Sequence, residues 1–158
     1  MDGNRGIHGV KTDGTLWSWG EVGTTGQSGT NDNTRYSSPV QVPGTTWDSI
    51  ANCANSAICT KTDGTLWAWG YGRYGQLANN QAGPGSAQNR SSPIQVGSET
   101  TWSENVSAGS ECFSAVKTDG TLWMWGKQTH GKFAQNGSAN VQYSSPVQVP
   151  GTWSTTRG

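Results

Sequence analysis

Lys11-Thr12-Asp13-Gly14-Thr15-Leu16-Trp17-Ser18-Trp19-Gly20 recurs as Lys61 to Gly70 and again as Lys117 to Gly126. Across the three copies only the residue between the tryptophans changes: Ser18, Ala68 and Met124. A ten-residue block repeated in this way is the mark of a repeat architecture. A second block lies between the copies. It reads Ser37-Ser38-Pro39-Val40-Gln41-Val42, then Ser91-Ser92-Pro93-Ile94-Gln95-Val96, then Ser144-Ser145-Pro146-Val147-Gln148-Val149. A lone tryptophan follows each: Trp47, Trp102 and Trp153. The chain of 158 residues thus divides into a single array with units at approximately 1–50, 51–106 and 107–156.

Each unit reads as β-structure. Asp-Gly is a two-residue hairpin signal of type I′, a turn that asks for positive φ at both central residues. Ile7 to Lys11 and Leu16 to Trp19 flank it with apolar residues at period two. Pro39 to Val42 forms a third short strand, since proline at a strand start costs no interior ladder bond. Trp47-Asp48-Ser49-Ile50 begins a fourth. Four short antiparallel strands per unit, repeated, is the pattern of propeller blades. Trp17 and Trp19 face one side of their strand and Leu16 and Ser18 the other, so each sheet must be covered on both faces. Gly9, Cys59 and Ala115 form a column of small residues where backbones are expected to approach closely.

Composition narrows the function classes. Ten basic and ten acidic residues give no net charge, and only 13% of residues are charged. Neutralising nucleic-acid phosphates takes clustered Lys and Arg, so no nucleic-acid partner is expected. Nine tryptophans and 23 glycines carry the fold instead. No stretch approaches a membrane span, and the N-terminus shows no apolar core of a secretory signal. Cys53, Cys59 and Cys112 are an odd count without CxxC spacing, read as small packing residues, with a Cys53–Cys59 bridge left open. His8 and His130 make no ligand motif with them, so neither a metal nor another cofactor is expected.

Catalytic constellations are sparse, and the reading is non-enzymatic. Asp13, Asp63 and Asp119 sit in equivalent turns of different blades, which makes them turn formers and not an acid pair. Lys11, Lys61 and Lys117 read as solvated strand-end residues that discourage edge pairing. Gly70-Tyr71-Gly72-Arg73-Tyr74-Gly75 matches GxGxxG but lacks the following helix that would bind phosphate.

The unrepeated loops 21–36, 71–90 and 127–143 are the better candidates, because insertions in repeat proteins collect on a binding face. Tyr71, Arg73, Tyr74 and Arg90 in the second loop are candidate partner-binding residues. Lys127, His130 and Lys132 are the candidates in the third. Tyrosine and arginine are enriched in interface hot spots.

The two repeated blocks, with Gly75-Gln76-Leu77 after Trp69-Gly70, resemble repeats of the regulator of chromosome condensation type. The first unit departs mildly, with Gly26-Gln27-Ser28, and the third further, with Gly131-Lys132-Phe133. The resemblance implies an all-β propeller of about seven blades, of which this chain would supply three four-stranded ones as an open arc. It implies no activity, because the family's known functions sit in loops that this chain does not match. The expected function is a scaffold that binds another protein through its loops. A carbohydrate-binding or cell-surface module and a structural component of a phage or extracellular assembly are the alternatives. Three blades are fewer than the four to eight of closed propellers. The chain also ends inside a unit, so it is expected to be part of a longer propeller, to self-associate to complete a ring, or to be unstable alone.

Overall fold

The computed structural model describes residues 6–20, 25–85, 87–129, 131, 133–134 and 140–156. Among these, eleven strands form: β1 (Gly6–Val10), β2 (Leu16–Gly20), β3 (Tyr36–Val42), β4 (Trp47–Cys53), β5 (Ser56–Lys61), β6 (Leu66–Gly70), β7 (Arg90–Gln95), β8 (Trp102–Ala108), β9 (Cys112–Lys117), β10 (Leu122–Lys127) and β11 (Gln142–Val149). They make three antiparallel sheets, β1-β2-β3, β4-β5-β6-β7 and β8-β9-β10-β11. No helix of the described residues is long and apolar enough to cross a membrane.

The sheets are cut out of phase with the repeat. The sequence reading places the strand beginning at Trp47 in the first blade, but β4 pairs with β5 of the second sheet, with Trp47 opposite Lys61. β8 likewise pairs with β9 of the third. The first sheet therefore has three strands and the other two have four, among the described residues. The cause is where the tryptophan can be buried. Trp47 is 3% exposed and makes edge contacts with Trp67 and Trp69 of the second sheet, at 6.0 and 6.1 Å between centroids. Its amide donates to the Gly14 carbonyl at 3.0 Å, so the crossing strand starts from the preceding hairpin. Trp102 repeats this bond with the Gly64 carbonyl at 3.0 Å.

The hairpin also differs from the two-residue type I′ turn. Within Lys11–Thr15 only Gly14 takes positive φ (77°), as do Gly64 (78°) and Gly120 (80°) in the other copies. The Gly14 amide donates to the Lys11 carbonyl at 2.9 Å, and the Lys11 amide to the Thr15 carbonyl at 2.8 Å. This is a three-residue loop ending in a glycine bulge. Asp13 is held out of the left-handed region by Thr15, whose amide and hydroxyl donate to Asp13 Oδ1 at 2.9 and 2.6 Å. Thr15 Oγ1 in turn accepts the indole N–H of Trp17 at 2.9 Å. The same Trp-Thr-Asp relay holds Trp67 and Trp123. It explains why Asp, Gly, Thr and Trp recur together, and the Thr hydroxyl bond keeps each Asp carboxyl below its ordinary range.

The faces pack in one direction. Leu16 and Val42 of the first sheet lie against Trp47, Cys59 and Trp69 of the second. Ile58, Leu66 and Ala68 of the second lie against Phe113, Ala115 and Trp125 of the third. Each Leu-bearing face thus covers the Trp-bearing face of the next sheet. Fully buried Trp69 and Trp125 donate their indole N–H groups to the carbonyls of Gln27 (2.9 Å) and Gln76 (2.8 Å) of the preceding sheet's loop. The amides of Asn31 and Asn80 bond the Ser91 and Ser144 carbonyls at 2.7 and 2.8 Å, strapping that loop to the next sheet.

The small column has a different role from the one expected. Gly9 pairs across the ladder with Trp17, and a side chain there would meet the Trp19 ring at 3.8 Å, an ordinary contact. Small residues at Gly9, Cys59 and Ala115 leave room for indole rings. Close backbone approach occurs instead at Gly26, where a Cβ would lie 2.5 Å from Ser91 Cα.

Candidate functional site

The Gly70–Gly75 run owes its glycines to packing. A Cβ at Gly72 would collide with the Gln88 carbonyl, and one at Gly75 would stand 2.6 Å from the Tyr143 carbonyl oxygen. The tight path turns the residues between them outward. Tyr71 and Tyr74 meet edge to face, 6.0 Å apart at 80°. The Tyr74 amide donates to Oε1 of buried Gln76 at 2.8 Å, fixing the ring's base.

Cations gather on Tyr74. The Arg73 guanidinium lies 5.5 Å from the ring centroid and Lys127 Nζ lies 4.5 Å from it. Lys127 comes from the end of β10, so the cluster bridges the second and third sheets. Glu111 Oε2 receives a hydrogen bond from Lys127 at 2.7 Å. Its carboxylate raises the lysine above its ordinary range, and the Tyr71 hydroxyl does the same for Arg73. Both cations stay charged at any physiological pH.

Four of the seven candidate residues therefore come together: Tyr71, Arg73, Tyr74 and Lys127. Arg90 does not join them. Its guanidinium donates to the carbonyls of Ala87 (3.0 Å) and Asn89 (2.8 Å) and to Gln81 Oε1 (3.1 Å), bracing its own loop. His130 and Lys132 lie outside the described residues. Sequence reasoning missed Glu111, a lone acid in the β8–β9 turn with nothing repeated to mark it.

It also missed what two of the repeated lysines touch: Lys11 is exposed, and Lys61 and Lys117 end their strands as expected, but the latter two are half-buried. Lys61 Nζ sits between Trp47 and Trp67 at 4.5 and 4.6 Å, and Lys117 Nζ between Trp102 and Trp123 at 5.0 and 4.2 Å. These are cation–π contacts joining a crossing strand to its new sheet. The signal available was the fixed spacing of six from Lys to the first Trp in every copy.

A hollow of about 370 Å³ opens between the second and third sheets, lined by Asn79, Asn80, Glu99, Trp102, Lys117 and Trp123 among others. Its charged groups are engaged with each other, Lys117 Nζ and Glu99 Oε2 being 2.6 Å apart. Among the described residues no three His, Cys, Asp or Glu side chains are placed to hold a metal ion. The three cysteines are buried and form no disulfide. Burial pushes the Cys53 thiol up to about 11 and Cys59 to about 12.

Residues 63–116 match the family model for the Regulator of chromosome condensation (RCC1) repeat. The chain superposes on the crystal structure of human WBSCR16 with a TM-score of 0.75 at 20% identity, covering 94% of this chain and 36% of that one. On Prp20p from Saccharomyces cerevisiae the TM-score is 0.72 at 20% identity, covering 95% and 37%. On yeast RCC1 (Prp20) in its structure with Kap60 it is 0.72 at 18% identity, covering 93% and 36%. The chain is thus folded as blades of an RCC1-like β-propeller, with the repeat model matched over residues 63–116, and it spans little more than a third of the length of those structures.

Proposed function

We propose that this chain is a non-enzymatic scaffold that binds another protein through the Tyr71–Arg73–Tyr74–Lys127 cluster. The observation that carries the reading is the convergence of two unrepeated segments, from different sheets, on the Tyr74 ring. The repeated Asp, Thr, Trp and Leu residues pack or hydrogen-bond within the fold. The cluster consists of side chains that lie outside the repeated blocks. Rigid tyrosines and an arginine fork are the side chains that dominate protein interfaces. With one carboxylate set against two cations, the cluster favours a partner surface that carries carboxylates. Fold-level likeness supports the same class: the related yeast structures are described by Kap60 binding and by binding to Gsp1p and histones. The carbohydrate-binding reading is less favoured, because Trp47, Trp69, Trp102 and Trp125 are buried between sheets.

The test is capture of partners from the source cell, followed by rebinding of each purified partner to the chain. Arg73→Ala with Tyr74→Ala should weaken a true partner by roughly 2–4 kcal/mol. Arg90→Ala should change binding little. Partners that bind both variants equally, or a turnover activity lost with either, would refute the proposal.

A further inference from the structure

The hollow between the second and third sheets arises where the chain departs from its own repeat. Its walls come from those two sheets and their loops. From Val42 to Trp47 the turn has four residues, Pro43-Gly44-Thr45-Thr46, and it lies on the indole. A Cβ at Gly44, where φ is 101°, would stand 3.4 Å from Trp47 Nε1. From Val96 to Trp102 the turn has five residues, Gly97-Ser98-Glu99-Thr100-Thr101. Gly97 also has positive φ, 65°, but a Cβ there would meet nothing within 4 Å. The longer turn stands away from Trp102, and about 370 Å³ opens beside it.

The facing loop departs as well. Thr30 of the first sheet's loop spends its hydroxyl on Ser28 at 2.7 Å and Asp32 at 3.0 Å. Its counterpart Asn79 lines the hollow. The Asn79 amide donates to Gln81 Oε1 at 3.2 Å and accepts from the Gln81 amide at 3.3 Å. A side-chain amide has two N–H donors and two lone pairs, so among the described residues one of each remains for a ligand.

The walls select the ligand. Trp123 is half-buried and its N–H is bonded to Thr121 at 2.8 Å, so it presents ring surface. Asn79, Ser98 and Glu99 present hydrogen-bonding groups. The charges cancel, because Glu99 Oε2 holds Lys117 Nζ at 2.6 Å and Lys117 lies against both Trp102 and Trp123. An anion would have to displace Glu99, and a cation would be opposed by Lys117. A wholly apolar molecule would strip water from the amide, the hydroxyl and the carboxylate without replacing its bonds. An uncharged ring with C–H faces and hydroxyl edges meets every group: its hydroxyls donate to Glu99 and accept from Asn79.

We propose that this hollow binds one uncharged sugar ring, with a C–H face on Trp123 and hydroxyls on Asn79, Ser98 and Glu99. It is a single subsite, and the buried indoles of Trp47, Trp69 and Trp125 take no part in it. It is separate from the Tyr74 cluster. Trp123 and Lys127 are four residues apart on β10, about 13 Å along the strand. The two sites share no residue, so the two proposals stand or fall separately.

The test is titration of the full chain with glucose, galactose, mannose and N-acetylglucosamine, followed by the indole N–H signals in a nitrogen-labelled sample. At least one sugar should bind with a millimolar Kd, the strength expected of so small a ligand, and shift the Trp123 signal. A glycan array presents the same rings at the ends of longer chains. Binding of the free sugar identifies a small-molecule site, and binding on the array alone identifies a glycan end; either supports the proposal. Replacing residues 97–101 by a copy of the turn 43–46 should close the hollow and weaken binding about tenfold or more. Should that chain lose its β-sheet circular dichroism spectrum, Asn79→Thr and Glu99→Ala take its place, each with the same expected loss. Arg73→Ala with Tyr74→Ala should leave sugar binding unchanged. Silence from all four sugars at tens of millimolar and from the array would overturn the proposal. So would recognition of charged sugars alone, shifts that spare Trp123, or binding that survives the turn replacement and both point substitutions.

Discussion

Lowering the pH should loosen the first sheet from the second through a single side chain, His8. It lies on the Leu-bearing face of β1, paired across the ladder with Ser18. Its ring meets Trp69 edge-on at 5.6 Å and 67°. Nε2 lies 3.0 Å from the Gln27 carbonyl, the oxygen that also accepts the Trp69 indole N–H. A carbonyl can only accept, so Nε2 carries the proton and Nδ1 is left as a buried lone pair with no partner. Burial outweighs the backbone bonds and drives the imidazole from its ordinary 6.5 down to about 4.

The sign follows from proton linkage. Between pH 6.5 and about 4 the unfolded chain binds a proton at this residue and the folded chain does not. Stability is therefore full above 6.5, falls as the pH drops through that window, and levels off below about 4. At 1.36 kcal/mol per pH unit the loss is about 3 kcal/mol. In urea that lowers the unfolding midpoint by roughly 1–3 M. The assay is a series of urea titrations followed by tryptophan fluorescence at fixed protein concentration. His8→Gln is the control, because its amide can still donate to Gln27 but does not titrate. Asp13, Asp32, Asp63 and Asp119 are held below 3.8 by hydrogen bonds, so their contributions are lost mainly below the window, and the His8→Gln chain reports whatever part of that loss reaches its lower edge. A wild-type midpoint that stays level across the window would refute the reasoning, as would a His8→Gln chain that keeps the same slope.

Further outcomes are expected elsewhere. Thr65→Val breaks the Trp67-Thr65-Asp63 relay in the second sheet and should destabilise the chain by about 1–3 kcal/mol in a thermal melt, since it leaves an indole donor unpaired. Gly75→Ala places a methyl 2.6 Å from the Tyr143 carbonyl at φ 81°, whereas Gly85→Ala at φ 96° enters open space. Gly85→Ala should cost about 1 kcal/mol for the backbone alone, and Gly75→Ala clearly more by the same melt. Thiol titration with a chromogenic disulfide should find Cys53, Cys59 and Cys112 unreactive in the native chain and all three reactive in denaturant, because they are buried and form no disulfide.

Much of this fold is legible because its repeated residues are local. Asp13, Gly14, Thr15 and Trp17 interact within one hairpin, so spacing alone exposes them. The crossing of β4 is not local. Trp47 could pair with the hairpin before it or after it, and only the pocket made by Trp67, Trp69 and Lys61 decides for the later one. The turn type is hidden for a similar reason, because the Asp-Gly preference for type I′ is overridden by a hydroxyl two residues on. In the candidate site, Tyr71, Arg73, Tyr74 and Lys127 stand out as unrepeated aromatic and basic residues. That Lys127 reaches Tyr74, while Arg90 turns back to Ala87 and Asn89, depends on how two sheets abut.

The offset between repeat and sheet has a consequence for stability. If each repeat closed its own sheet, neighbouring sheets would touch only through side chains and the loop strap. Here each boundary is crossed by a strand that starts on one sheet's hairpin glycine and finishes as the next sheet's first ladder. The same boundary carries an indole-to-carbonyl bond, a backbone strap and, on the receiving sheet, a lysine between two indoles. In a linear array of units, stability is the sum of intrinsic and nearest-neighbour terms. Concentrating these contacts at the boundaries makes the neighbour term dominant, so a sheet with one neighbour is much weaker than a sheet with two. The middle sheet, β4 to β7, has two, and its Ala57, Ile58, Cys59, Leu66, Ala68 and Trp69 are all 0% exposed. The first and third have one each, and Ile7 and Trp153 stand exposed as a result. The exposure of Ile7 and Trp153 thus tracks the number of sheets packed on each, as a dominant neighbour term requires.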